Sequence, residues 1–300
     1  MVTPPFLKPG DMVGIVSTAR KISRDELQPA LELLSKWGLN FSLGNTIGAE
    51  QDQFAGNDTL RVSDLQSMLD NREVKAIWCA RGGYGTVRLI DKLDFKHFSA
   101  NPKWIIGYSD ITLLHSHLNS RGIETLHAQM PLEIEKKSNE TAESIRKTLF
   151  GEKNGIRYDN HSKLTRTGNA KGELVGGNLS VLYSICGSDS ALNTDGRILF
   201  LEDLDEYLYH IDRMLQNLKR NGLFDKLNGL IVGGMTDMND NTIPFGKTAE
   251  EIVADTVSEY DFPVCFNFPA GHVHDNRALI FGREAELNVS DNTVDLRLTS

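Results

Sequence analysis

The chain is short of cysteine, tryptophan and positive charge. Its 300 residues hold only Cys79, Cys186 and Cys265, an odd number set far apart. That is neither a disulfide framework nor a CxxC zinc pattern, and it fits a reducing compartment. Against 41 acidic residues stand 32 Lys and Arg, a net charge of −9. Such a surface repels phosphates, and no basic stretch interleaved with aromatics offsets the repulsion, so a nucleic-acid partner is disfavoured. There is no apolar run long enough to span a bilayer. The opening MVTPPFLKPGDMVGIVSTAR lacks a basic segment followed by an apolar core and does not read as a secretion signal. The expectation is a cytoplasmic protein that handles small molecules, away from membranes.

What is present is ordinary for a globular protein, with 40% hydrophobic and 24% charged residues. The length suffices for two units, each with its own core. Over residues 1–150, strand-like and helix-like segments alternate. An apolar run at 12–17 precedes the capping box Ser23-Arg24-Asp25-Glu26, after which Leu27, Leu31, Leu34 and Trp37 repeat at helical spacing. Further strands are expected at 74–80 and 103–108, and helices around 60–69, over TVRLIDKL and over 111–119. This βαβα rhythm predicts an α/β fold with a mostly parallel sheet covered on both faces. Residues 151–170 turn polar and read as a linker after a helix at 142–150. Residues 171–300 read as a smaller α+β or barrel-like domain, with strands at 173–175, 197–201 and 229–232 and a helix at 209–221. AELNV and TVDLRL around Ser290-Asp291-Asn292 make its closing hairpin.

The chemistry begins at WIIGYSDITLLH, where a strand meets Gly107-Tyr108-Ser109-Asp110 and a helix starts at once. A side chain at the carboxyl end of a parallel strand lies where such folds bind ligands, and the helix behind it aims N–H groups at the same spot. The Gly-x-Ser junction resembles a nucleophile elbow, with Ile111 in place of its second glycine; the plainer reading makes Ser109 or Asp110 a helix cap. A serine needs a base. Of eight histidines, His115 and His117 point to different helix faces, His97, His161 and His210 read as surface residues, and His127 reads as structural or cleft-lining. His272, in FPAGHVHDN after VCFNF, can be placed freely. ILFLED ends in two acids, with Glu202 the expected orienter of the imidazole and Asp203 or Asp205 suited to capping the next helix. Gly82-Gly83 of RGGYG and the amide of Asp110 can supply N–H donors for an oxyanion. RGGYG lacks the spacing of a dinucleotide loop and a phosphate-loop lysine.

RGGYGTVRLID, WIIGYSDITLLH, the long block ILFLEDLDEYLYHIDRMLQNLKRNGLFDKLNGLIVGG and FPAGHVHDNRALIFG, in this order, resemble the signature blocks of the LD-carboxypeptidases, a serine peptidase family that includes the microcin-immunity peptidases. The resemblance implies a Rossmann-like N-terminal domain carrying the nucleophile Ser109 and a smaller C-terminal domain carrying Glu202 and His272. It implies an oxyanion hole from Gly82 and Asp110 and a homodimer; no cofactor is expected, and no metal either, since the alternating His272 and His274 lack the further ligand cluster a zinc site needs. The implied substrate is a small peptide, the murein tetrapeptide of cell-wall recycling, which would lose its terminal D-alanine. Leu279-Ile280-Phe281-Gly282 departs from the family's pattern, which often has a proline there. A free α-carboxylate calls for a cation, and Arg81 and Arg277 flank the expected cleft. The alternatives are a microcin-immunity-type amidase acting on peptidyl-nucleotide conjugates, a non-catalytic nucleotide- or peptide-binding module, and a metallopeptidase. Against the first, Trp37, Trp78 and Trp104 all precede Ser109, so no tryptophan follows it to hold a nucleobase.

Overall fold

Two sheets carry the chain in the computed structural model, which describes residues 1–299. The first half runs β1 (Met12–Val16), α1 (Arg24–Lys36), β2 (Asn40–Leu43), α2 (Asp58–Asp70), β3 (Val74–Cys79), α3 (Lys96–Ala100), β4 (Trp104–Gly107), α4 (Thr112–Asn119), β5 (Thr125–His127) and α5 (Asn139–Leu149). Next come β6 (Ile156–Asp159), β7 (Gly168–Asn178), α6 (Leu179–Ser184), β8 (Ile198–Leu204), α7 (Leu208–Arg220), β9 (Gly229–Thr236) and α8 (Ala249–Thr256). The chain closes with β10 (Val264–Cys265), β11 (Leu279–Phe281), β12 (Glu284–Val289) and β13 (Thr293–Leu298).

The first sheet has the order β11-β5-β4-β3-β1-β2, with every pairing parallel except that of β11 with β5. Its central strands are buried on both faces, which is why Val13, Ile15 and Val16, or Ile105 and Ile106, follow one another without alternation. The expected capping box opens α1: Ser23 accepts from Glu26 N–H, and Glu26 reaches back to Ser23 N–H. Leu27, Ala30, Leu31 and Leu34 form the buried stripe of that helix. The carboxyl ends of β3 and β4 lie side by side, so RGGYG and the serine turn leave the sheet at neighbouring points.

The second sheet has the order β10-β9-β8-β7-β12-β13-β6, parallel from β10 to β7 and antiparallel beyond. It curls until its edges meet. Arg166 bridges Val264, and Tyr158 Oη on β6 donates to Phe266 O at 2.7 Å. Barrel-like is therefore the right description.

Three features depart from expectation. TVRLIDKL forms two short 3₁₀ turns, Thr86–Arg88 and Ile90–Lys92. Tertiary ties override its helical spacing: Thr86 is tied to Asp110, while Arg88 and Lys92 reach Asp58 at 2.9 and 3.8 Å. Within 151–170, Ile156–Asp159 pairs with β13, and β7 already starts at Gly168. And Leu279–Phe281, from the last third of the chain, returns to extend the first sheet beside β5.

Candidate active site

Strand β4 is buried throughout and stops at Gly107. A Cβ on Gly107 would lie 2.7 Å from Ile111 Cγ1, so only glycine lets the chain fold back this closely. Ser109 follows with φ +61°, a left-handed conformation that costs a non-glycine residue about 1–2 kcal/mol. The strain presents its side chain, half exposed, at the carboxyl end of the strand. Neither Ser109 nor Asp110 caps the helix that follows; α4 starts without a side-chain cap. Asp110, 5% exposed, instead accepts from Thr86 N at 2.9 Å and from Thr86 Oγ1 at 2.6 Å. Burial raises its pKa, and the Thr86 bonds oppose the rise. The tie holds the glycine-rich loop against the serine, and a methyl on Gly82 would lie 3.5 Å from Ser109 Oγ.

On the second sheet, the pairing of β8 with β9 slips between Leu201 and Asp203, so Gly233 and Gly234 face Glu202 alone. A bulge of this kind re-aims a side chain. Glu202, fully buried, accepts from His272 Nδ1 at 2.6 Å through Oε2, which also accepts from His272 N at 3.2 Å. Gly271 (φ +99°) makes this approach possible, since a Cβ there would lie 2.8 Å from Glu202 Oε2. Burial is the largest influence on both members and opposes both charges. The His272 cation nevertheless takes the Glu202 pKa below its ordinary value, and the Glu202 carboxylate takes that of His272 above its own. His274, two residues on, is exposed and gives its carbonyl to Ser138 N–H at 3.1 Å.

The two halves meet through Asn178. It pairs in register with Glu202 on β8, and its N–H donates to Thr112 Oγ1, in the first turn of α4, at 2.9 Å. Tyr108, directly before Ser109, packs its ring 4.7 Å from that of His272. Among the described residues no hydrogen bond joins Ser109 to His272; such bonds are often long in unliganded sites and tighten with substrate. An imidazole whose Nδ1 side is held by a carboxylate keeps Nε2 for accepting a proton.

Asp203 does not cap α7, whose N-cap is Tyr207 with no side-chain bond. It holds Asn178 Nδ2 and Ser180 N, both at 2.9 Å, and burial, then the Glu202 charge, push its pKa up to about 7. Asp205 accepts from Asn239 Nδ2. Arg81 donates to Lys21 O at 2.8 Å and has no ion pair among the described residues, whereas Arg277 is paired with Asp275 at 2.8 Å. Three contributors escaped the sequence reading. Thr86 ties Asp110, Asn178 joins the sheets, and Lys137 donates to Val273 O at 2.8 Å in the histidine loop. Only Thr86, one residue past RGGYG, carried a positional signal. His115 binds Gly107 O and His117 binds Ser190 Oγ, at 2.9 and 2.8 Å. His127, fully buried, has no hydrogen-bond partner on either nitrogen among the described residues.

Comparison with known proteins agrees with this architecture. Residues 13–128 match the LD-carboxypeptidase N-terminal domain, and residues 171–287 match the LD-carboxypeptidase C-terminal domain. The chain is 35% identical to a probable murein peptide carboxypeptidase of Bacillus subtilis, covering 97% of this chain and 92% of the relative. It is 29% identical to the murein tetrapeptide carboxypeptidase of Pseudomonas aeruginosa, covering 92% of each. The microcin C7 self-immunity protein MccF of Escherichia coli is 25% identical, over 96% of this chain and 93% of that protein. The crystal structure of muramoyltetrapeptide carboxypeptidase from Oxalobacter formigenes superposes with a TM-score of 0.87 at 25% identity, covering 96% of this chain and 99% of that one. Fold and matches together define a hydrolase of the peptidase class. The chain belongs to the LD-carboxypeptidase family.

Proposed function

We propose that the protein is a serine carboxypeptidase that releases the terminal D-alanine of murein tetrapeptide by cutting the bond after an L-centre. The observation that carries this reading is the 2.6 Å bond between buried Glu202 and His272, packed against the strained turn that presents Ser109. Ser109 Oγ attacks the amide carbonyl as His272 Nε2 takes its proton, and Glu202 stabilises the imidazolium that forms. Gly82 N–H and Asp110 N–H receive the oxyanion. His272 then protonates the departing D-alanine amine, and water, activated by the same imidazole, releases the shortened peptide. Arg81, free of an ion pair among the described residues, meets the terminal carboxylate; Arg277 is the second candidate, held by Asp275. We draw the N-terminal unit at residues 1–150 and the C-terminal unit over the rest, with the stretch 151–170, expected as a linker, counted in the second unit because Ile156–Asp159 and the start of β7 belong to its sheet. On the family likeness we also place the protein in the cytoplasm as a homodimer. No helix of the described residues is long and apolar enough to cross a membrane.

The test is incubation of the pure protein with a defined murein tetrapeptide and mass spectrometry of the products. Free D-alanine is expected, and neither His272→Ala nor Ser109→Ala should release it, while His274→Ala should. Cleavage of a peptidyl nucleotide with the tetrapeptide left intact would assign the activity to the MccF-like reading instead.

A further inference from the structure

Beneath the serine turn lies a set of buried polar atoms without partners: Glu202 Oε1, both ring nitrogens of His127, His115 Nδ1 and Thr125 Oγ1. A native interior leaves few such atoms, and each costs free energy unless it is satisfied. They lie close to one another. His127 and Thr125 are two apart on β5 and so share a face, and the His127 ring lies 6.2 Å from that of His115. The same ring lies 5.1 Å from that of Phe200 and 6.0 Å from that of Tyr108. Phe200 is two residues before Glu202 on β8 and shares its face. His127 is thus wedged between the residue preceding Ser109 and the strand that carries Glu202.

Donor and acceptor chemistry narrows the pairing. His115 engages Gly107 O through Nε2, which must therefore carry the hydrogen, leaving Nδ1 an acceptor. Glu202 Oε1 is an acceptor as well. Burial lowers the His127 pKa to about 4, so its ring is neutral near pH 7 and carries one N–H and one bare nitrogen. Among the unpartnered atoms, only His127 and the Thr125 hydroxyl can donate. Asn178 Nδ2 gives one N–H to Asp203 Oδ1 at 2.9 Å; its second N–H helps lower the Glu202 pKa, the least of the influences on it, so Asn178 is the competing donor that the test must separate.

We propose that His127 is a positioning residue for the reaction: its ring N–H, after a turn of the imidazole or across one buried water, donates to Glu202 Oε1 and fixes the carboxylate so that Oε2 faces His272. This rests on the orienting role given to Glu202 above. A donor on the second oxygen stops the carboxylate rotating away from the imidazole, and it stabilises the ionised form.

The test compares His127→Asn, which keeps an N–H donor, with His127→Leu, which keeps a similar shape without one. The pKa of Glu202, followed by ¹³C NMR of its carboxyl carbon in substrate-free protein, should rise in His127→Leu and stay near wild type in His127→Asn. Turnover should fall on the order of tenfold in His127→Leu with KM nearly unchanged, and His127→Asn should recover part of it. An unmoved Glu202 titration in folded His127→Leu overturns the proposal, and so does a rise that appears only in Asn178→Ala. If the leucine variant does not fold, His127→Phe takes its place and is read the same way. The NMR titration needs no substrate, so it stands even if the tetrapeptide proves not to be hydrolysed.

Discussion

His272 grips one oxygen of Glu202 twice, with its ring Nδ1 at 2.6 Å and its backbone N–H at 3.2 Å. A side chain and its own main chain converging on one buried carboxylate oxygen fix both the ring's orientation and the path of the loop. Charge and geometry are coupled here, and pH is the lever that separates them.

The folded-state pKa of His272 lies above its ordinary value of about 6.5, so the neutral base forms only above that pH. The acid limb of kcat/KM should therefore fall above pH about 6.5. In Glu202→Gln the largest upward influence is lost while burial, the Lys137 charge and the weaker opposing Asp203 charge remain, and the limb should move to lower pH while the plateau drops by on the order of 10³–10⁴. Stability follows the same linkage. The raised His272 stabilises the fold below its unfolded pKa and loses that contribution as pH rises through the folded one. The lowered Glu202 contributes above its unfolded pKa and loses its share as pH falls through the folded one. The pair's contribution should peak between about pH 4.3 and 6.5 and vanish in Glu202→Gln. Thermal melts across that range check it; a wild-type limb in Glu202→Gln would remove Glu202 from the mechanism.

Ser109 carries a backbone cost that its position imposes. Ser109→Ala should lose turnover by several orders of magnitude and stay folded, because the half-exposed hydroxyl adds little to stability. Ser109→Gly should be equally inactive yet more stable, by about 1 kcal/mol, because glycine adopts φ +61° without the penalty. Residual activity within tenfold of wild type in either variant would mean that another group attacks the substrate. Equal melting temperatures would show that the turn holds no strain.

At Gly271 both the φ of +99° and the neighbourhood forbid a side chain, with Glu202 Cβ, Cγ and Oε2 each 2.8 Å from where a Cβ would sit. Gly122 is its control, at φ +75° with nothing within 4 Å. Both alanine variants should lose about 1–3 kcal/mol for the backbone conformation. Only Gly271→Ala should also lose turnover, because its methyl pushes the Glu202 carboxylate off the imidazole. Unfolding curves together with steady-state rates decide it; full turnover in Gly271→Ala would show that the loop can yield without disturbing the pair.

Much of this was legible in the chain itself. The strand before Ser109 announces itself by unbroken apolar residues, and the capping box before α1 is a local pattern with local causes. What escaped depends on neighbours distant in sequence. TVRLIDKL has helical spacing, but Asp110 and Asp58 hold its ends elsewhere. Asp203 sits where a cap for the next helix belongs, yet it serves Asn178 at the end of the neighbouring strand and Ser180 in the helix that follows it. His127 lies on a three-residue strand that gives no hint of what faces it, because Phe200 and Phe281 arrive from strands more than seventy residues further along the chain. Local chemistry is written locally, whereas the company a buried residue keeps is decided by topology.

The two arginines expected near the cleft differ in how they are held. Arg277 is paired with Asp275, two residues before it, through both Nε at 2.9 Å and a terminal nitrogen at 2.8 Å. A guanidinium whose Nε and one terminal nitrogen both converge on a carboxylate oxygen, here Asp275 Oδ2, offers little of its charge to a second carboxylate. Among the described residues Arg81 has only the Lys21 carbonyl, which takes one of its five N–H groups and none of its charge. It also directly precedes Gly82, the glycine that abuts Ser109 Oγ. If the substrate's α-carboxylate docks on Arg81, Arg81→Ala should raise KM for the free acid and erase the preference over a C-terminally amidated peptide. Arg277→Ala should instead loosen Asp275, which accepts from Ser138 Oγ at 2.8 Å, and so reduce stability while leaving the acid-to-amide ratio near wild type. The ratio of kcat/KM for the two peptides, measured in both variants, separates the roles. An unchanged ratio in Arg81→Ala with a collapsed one in Arg277→Ala would transfer carboxylate recognition to the paired arginine and make Asp275 its guide.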